Sequence, residues 1–148
     1  MIFTYRKQVP QSVCDYFVNY YKNSSRKISN IEERTSRWSL SQEIGVNYRE
    51  GSSVCIQEYS DKEKFNNFIK EPIREYIKYF NIPYNITDCG YEVAAYGEGQ
   101  RCYRHFDGAN PVGGQRLATV ITFLNDADGG ELIFPLQNEV ITPESGNV

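Results

Sequence analysis

The apolar positions of the chain change period once, and that change divides it into a helical half and an extended half. From Pro10 to about Lys22, Val13, Phe17, Tyr20 and Tyr21 recur on one face at helical spacing, and "NSS" at 23–25 supplies a stop, which predicts an amphipathic helix. Residues 24–53 are polar and broken by Ser, Asn and Gly, with short extended candidates at "RWSLS" and "SSVCIQEY"; they read as loops and outer strands. A second helical pattern runs from about Asp61 to Phe80, with Phe65, Phe68, Ile69, Ile73, Tyr76, Ile77 and Phe80 on one side. Pro72 lies inside it and has no amide hydrogen to donate, so a kink or two abutting helices is expected there. The aromatic stripe of this segment reads as core.

After "NIPYN" the period becomes two. The runs "YEVAAY" (91–96), "CYRHF" (102–106), "RLATVITFL" (116–124), "ELIFP" (131–135) and "EVITP" (139–143) are short and rich in aromatic and β-branched residues. They are separated by "GEG", "GANPVGG", "NDADGG" and "LQN", with no helical pattern between them, which predicts antiparallel sheet rather than βαβ units. The expected class is α+β, mainly β, with helices followed by a sandwich or barrel of short strands.

Composition narrows the class without changing it. A chain of 148 residues fits one domain and can bury roughly two-thirds of its unfolded surface. The net charge of −3 gives no general reason to expect a nucleic-acid partner. Residues 1–37 are locally basic, with Arg6, Lys7, Lys22, Arg26, Lys27, Arg34 and Arg37 against Asp15, Glu32 and Glu33; a solvated surface is the plain reading, an acidic partner the sharper one. No apolar run has the length of a membrane span, and "MIFTYRKQVP" lacks the pattern of a signal peptide, so a cytoplasmic setting with no membrane partner is expected. Cys14, Cys55, Cys89 and Cys102 are widely spaced and form no CxxC, which favours reduced thiols.

Candidate chemistry centres on the one histidine. His105 stands two residues before Asp107, and on an extended strand both side chains point to one side, where an imidazole nitrogen and a carboxylate oxygen suit a divalent metal of intermediate softness. Two such ligands hold a metal weakly. The spacing alone equally fits a surface histidine in a polar turn.

The neighbours carry more. In order, they are Tyr96 ahead of a GxG turn, Tyr103 then His105 and Asp107, Arg116 and Thr119, "FLND" with Gly129 and Gly130, "FP" at 134–135 and "P..G" at 143–146. This set, from Tyr96 to Gly146, resembles the catalytic core of the iron(II)/2-oxoglutarate dioxygenases of the prolyl 4-hydroxylase type. It covers about a third of the chain; the preceding ninety residues carry no diagnostic motif.

The resemblance implies a double-stranded β-helix (jelly-roll) core with N-terminal flanking helices, support over about 1–88 and core from about 89. It implies His105 and Asp107 as metal ligands and catalytic residues, Tyr96, Thr119, Ile121 and Phe123 along the cosubstrate pocket, and Tyr103 and Arg116 near the pocket and substrate entrance. The implied cofactors are Fe(2+), 2-oxoglutarate and O2, with ascorbate as an optional addition. The implied reaction hydroxylates an unactivated C–H and releases succinate and CO2; a peptide or protein substrate, with a peptidyl proline favoured, is its partner, and a homo-oligomer is compatible with it.

Two departures qualify that likeness. Phe123 stands where many relatives have a tyrosine whose hydroxyl binds the far carboxylate of 2-oxoglutarate. The family's second iron-binding histidine, and the basic residue after it, lie past the "P..G" turn, whereas this sequence stops at Val148. The expectation is an N-terminal portion of a longer dioxygenase. Two rivals stay open: a catalytically inactive binding or structural module of the same fold, and a cupin-like metal protein with a different reaction.

Overall fold

A computed structural model of the chain describes residues 1–29, 49–83, 86–88, 90–105, 109–110 and 114–148. "RWSLS", Cys89 and Asp107 lie outside the described residues.

The first helical pattern forms α1, Gln11–Asn23. Pro10 precedes it with φ −60°, and its carbonyl accepts from Val13 N at 2.9 Å and Cys14 N at 3.1 Å, so a residue with a preset φ starts the helix where it has no amide to lose. At the other end Ser24 N donates to the Tyr21 carbonyl at 3.3 Å, and Lys27 Nζ donates to the Lys22 carbonyl at 3.1 Å. Part of the local basic excess therefore serves the helix terminus, where cations complement exposed carbonyls.

Strands β1 (Ile28–Ser29), β2 (Ser52–Ile56) and β3 (Tyr91–Ala95) form an antiparallel sheet in the order β1-β2-β3. Val54 pairs with Val93 and Ile56 with Tyr91, so the alternation of a strand puts these four on one face. Phe17 of α1 covers that face in a core cluster with Ile56 and Val93, flanked by Val13, Phe65, Tyr91 and Leu124. Burying Phe17, 2% exposed, stabilises the fold by about 2–3 kcal/mol. Gly51 enters β2 with φ +100°, and a Cβ there would collide with the Ala95 carbonyl, so only glycine fits this approach.

The second helix, α2 (Tyr59–Tyr79), is one helix of 21 residues that passes through Pro72, so of the kink or two abutting helices expected there the two separate helices do not form. The missing Pro72 amide orphans the carbonyl four residues earlier, that of Phe68, and the Gln8 side-chain amide donates to that oxygen at 2.7 Å. A partner from the N-terminal arm thus replaces the absent helix bond. The two helices are stitched by Tyr16, whose hydroxyl donates to Asp61 Oδ1 at 2.6 Å; Lys64 Nζ reaches the same oxygen at 3.2 Å.

The arm before α1 also holds the end of the chain. Phe3 packs edge-on against Tyr76, Tyr79 and Phe80, and Tyr5 exchanges backbone hydrogen bonds with Val148 at 2.7 and 2.9 Å. Gly146 accepts from Val9 N at 3.0 Å and donates to the Phe123 carbonyl at 2.9 Å, while Phe123 N donates to the Asn147 carbonyl at 3.1 Å. Ser145 and Asn147 are buried in this seam.

Two further antiparallel pairs follow: β4 (Ala109–Asn110) with β5 (Gly114–Gln115), and β6 (Leu132–Phe134) with β7 (Glu139–Ile141). The β6–β7 turn is closed by Gln137 N donating to the Phe134 carbonyl at 3.1 Å, and Asn138 takes a left-handed φ of 53° that its short polar side chain tolerates.

The chain is thus a small mixed assembly of helices and short antiparallel sheets, and among the described residues no closed barrel or jelly roll forms. The expected strand at 102–106 reduces, within its described part, to one bridge between Cys102 and Arg49 before the chain bends at Arg104. Among the described residues the expected strand at 116–124 makes no strand ladder, and Leu117, Val120 and Ile121 are exposed. Among the described residues no helix is long and apolar enough to cross a membrane. Cys14, Cys55 and Cys102 are free thiols.

Candidate metal and cosubstrate site

The site begins where residues 49–50 meet residues 101–102. The Arg49–Cys102 bridge is continued by Glu50 N donating to the Arg101 carbonyl at 2.8 Å. The Glu50 carboxylate then accepts twice from the same neighbour: from Arg101 N at 3.1 Å on Oε2, and from the Tyr103 hydroxyl at 2.8 Å on Oε1. Arg49 forms an ion pair with Glu92 of β3. The Arg101 guanidinium lies over the Tyr103 ring, 5.7 Å from its centroid.

His105 follows at once. Its Nδ1 is 2.8 Å from the Tyr103 carbonyl and 3.6 Å from Cys102 Sγ. A carbonyl can only accept, so Nδ1 is the donor in this contact. Metal-binding histidines commonly make such a contact, one ring nitrogen donating to a backbone carbonyl while the other ligates.

The tyrosines are kept protonated. Tyr103 is raised above the ordinary phenol range, chiefly because its hydroxyl donates to the Glu50 carboxylate, which disfavours a second negative charge. Tyr96 is pushed up to about 12, first by desolvation, against the pull of the Arg49 guanidinium, with Cys102 adding to the rise. Tyr96 is 43% exposed as a residue, so part of its surface faces solvent despite that desolvation. Across the physiological range both hydroxyls are donors.

Of the residues singled out from sequence, Tyr96, Tyr103 and His105 gather around Arg49 and Cys102. Asp107 lies outside the described residues. Arg116 is half-buried, and Thr119 and Ile121 are exposed, on the run that forms no ladder. Phe123 is half-buried and works in the seam with Gly146 and Asn147. Arg49, Glu50, Glu92 and Arg101 were not legible as site residues, because their role depends on a pairing across fifty positions; the one local signal is the charged pair ahead of Gly51 at the entrance of a strand.

As a test of fit to a divalent metal, the tautomer of His105 suits a ligand. Among the described residues no group of three or more His, Cys, Asp or Glu side chains converges to complete a coordination sphere. A broad, open hollow of about 350 Å³ lies elsewhere, lined by Tyr20, Asn23, Ser24, Ser25 and Arg26, and contains none of these groups.

Comparison with known proteins yields one similarity of note. The chain is 30% identical over 139 residues to a protein of Arabidopsis thaliana named "Probable prolyl 4-hydroxylase 8", a stretch that covers 90% of this chain and 44% of that protein. The chain therefore spans less than half the length of this relative. No family model matches the chain, and no solved structure matches it.

Proposed function

We propose that the chain carries His105 and Asp107 as two metal ligands of an iron(II)/2-oxoglutarate dioxygenase of the prolyl 4-hydroxylase type, on a jelly-roll core, acting on a peptidyl proline. The observation that carries the reading is the Nδ1 to Tyr103 carbonyl contact of 2.8 Å, the kind of backbone contact that orients a metal-binding imidazole. The partial similarity to a plant protein of that name supports the same reaction class.

His105 would bind through Nε2 and Asp107 through a carboxylate oxygen. Iron with 2-oxoglutarate and O2 supplies hydroxylation of an unactivated C–H, with succinate and CO2 released. The chain's own residues would orient and select. The Tyr103 carbonyl keeps the proton on Nδ1, and the Tyr96 hydroxyl, protonated to about pH 12, would donate to a carboxylate of the cosubstrate. Arg116 would supply a cation at the entrance. Thr119 would offer a hydroxyl, and Ile121 and Phe123 an apolar wall.

Anaerobic addition of Fe(II) and 2-oxoglutarate tests the reading through the visible charge-transfer band of the chelated cosubstrate. The band is expected in the unaltered chain and lost in His105→Ala and in Asp107→Ala. A folded chain without the band, or a band that survives both substitutions, would remove His105 and Asp107 from the metal and favour a non-catalytic module.

A further inference from the structure

Glu50 occupies an unusual position for a charged loop residue. It is remote in sequence from the histidine, yet three hydrogen bonds tie it to the two residues that lead there. Its amide donates to the Arg101 carbonyl at 2.8 Å, one carboxylate oxygen accepts from Arg101 N at 3.1 Å, and the other accepts from the Tyr103 hydroxyl at 2.8 Å. The next link is the Tyr103 carbonyl, 2.8 Å from His105 Nδ1. Arg101–His105 forms no strand ladder beyond the Cys102 bridge, so neighbouring strands do not hold that carbonyl in place.

We infer that Glu50 is a positioning residue, clamping Arg101 and Tyr103 so that the Tyr103 carbonyl holds the proton of His105 on Nδ1. A carboxylate suits this because it has two acceptor oxygens and can hold a backbone amide and a phenol at once. A neutral amide has one acceptor oxygen, so it could accept from only one of them and would have to donate to the other, reversing the Tyr103 hydrogen bond. Gly51 follows directly and turns the chain into β2, so the clamp is anchored to the central strand of the buried sheet.

The inference takes its functional meaning from His105 as a metal ligand, but its test does not depend on activity. Because the chain has one histidine, a long-range proton–nitrogen NMR spectrum at about pH 8.5, above the ordinary imidazole range, reads its tautomer without assignment. The unaltered protein is expected to show the Nδ1–H form in excess. Glu50→Ala and Tyr103→Phe should each move the ratio toward Nε2–H by roughly threefold to tenfold. Glu50→Gln, keeping one acceptor, should fall between. Backbone spectra establish that each variant is folded, and Tyr103→Phe keeps the ring and the carbonyl should Glu50→Ala not fold.

An unchanged ratio in folded Tyr103→Phe and Glu50→Ala would overturn the inference, as would an Nε2–H form in the unaltered protein. Paramagnetic broadening of the same signals by Mn(II) separates this from the functional reading. Broadening with an unmoved tautomer leaves His105 a ligand and removes Glu50. A moved tautomer without broadening keeps Glu50 as the positioning residue and removes the metal.

Discussion

Two cross-strand pairs look alike along the chain and end in opposite surroundings. Val54 and Val93, paired across β2 and β3, are 2% and 7% exposed, whereas Ile133 and Val140, paired across β6 and β7, are 66% and 63% exposed. Both pairs are aliphatic, and both lie in antiparallel ladders. The difference is that Phe17 of α1 clusters with Val93 and Ile56 on that face, with Phe65 of α2 packed against the same cluster. A strand's apolar alternation states which face can be buried, and a second layer decides whether it is.

The strongest way to break the contrast is to remove the cover. Phe17→Ala should cost about 3–5 kcal/mol in urea unfolding, because it empties the centre of the cluster. A cost below about 1 kcal/mol would mean that the β2–β3 face closes without its helix.

Next in size is the device that keeps α2 whole. Gln8→Ala should cost about 1–3 kcal/mol by leaving the Phe68 carbonyl without its donor. In a Pro72→Ala background, where residue 72 regains an amide, that cost should nearly vanish; equal costs in both backgrounds would show that Gln8 acts elsewhere.

The stitch between the helices sharpens the contrast through pH. Asp61 is held below the ordinary carboxylate range, first by the Tyr16 hydroxyl and also by Lys64, against a desolvation that pushes the other way. Its folded pKa is depressed, so the stability it contributes is present above the unfolded value of 3.8 and is lost as pH falls through the lower folded value. Tyr16→Phe should cost about 1 kcal/mol at pH 7, and the gap to the unaltered protein should narrow below about pH 4. A gap independent of pH would detach Tyr16 from Asp61.

The smallest effect belongs to the bare face. Ile133→Ser and Val140→Ser should each change stability by no more than about 0.5 kcal/mol, since neither removes a buried contact. A loss above about 1.5 kcal/mol, or one that grows with protein concentration, would show the face to be covered in solution.

Legibility in the sequence followed the range of the forces involved. α1 and α2 were legible because helical periodicity, a stop at Ser24 and the amphipathic stripe act within one or two turns. The division into two helices that Pro72 allowed did not occur, since Gln8, sixty positions from Phe68, supplies the missing donor. The hairpin at 132–141 was legible from two apolar runs around a short polar turn. The run at 116–124 has the same alternation, but among the described residues it joins no strand ladder, and Thr119 and Ile121 are exposed. In the candidate site, His105 was singled out by type and spacing and Tyr103 and Tyr96 through the family resemblance, whereas Glu50 and Arg49 were not singled out, because nothing near them announces a partner fifty residues away.

The sequence by itself determined the helical and extended halves and the single histidine, since these depend on periodicity and residue chemistry. Only the tertiary structure decided which apolar face is covered, why only glycine fits at 51, and how a proline sits inside a continuous helix. Each of those outcomes turns on one donor, acceptor or ring brought from a distant part of the chain, and such contacts form only when the layers close.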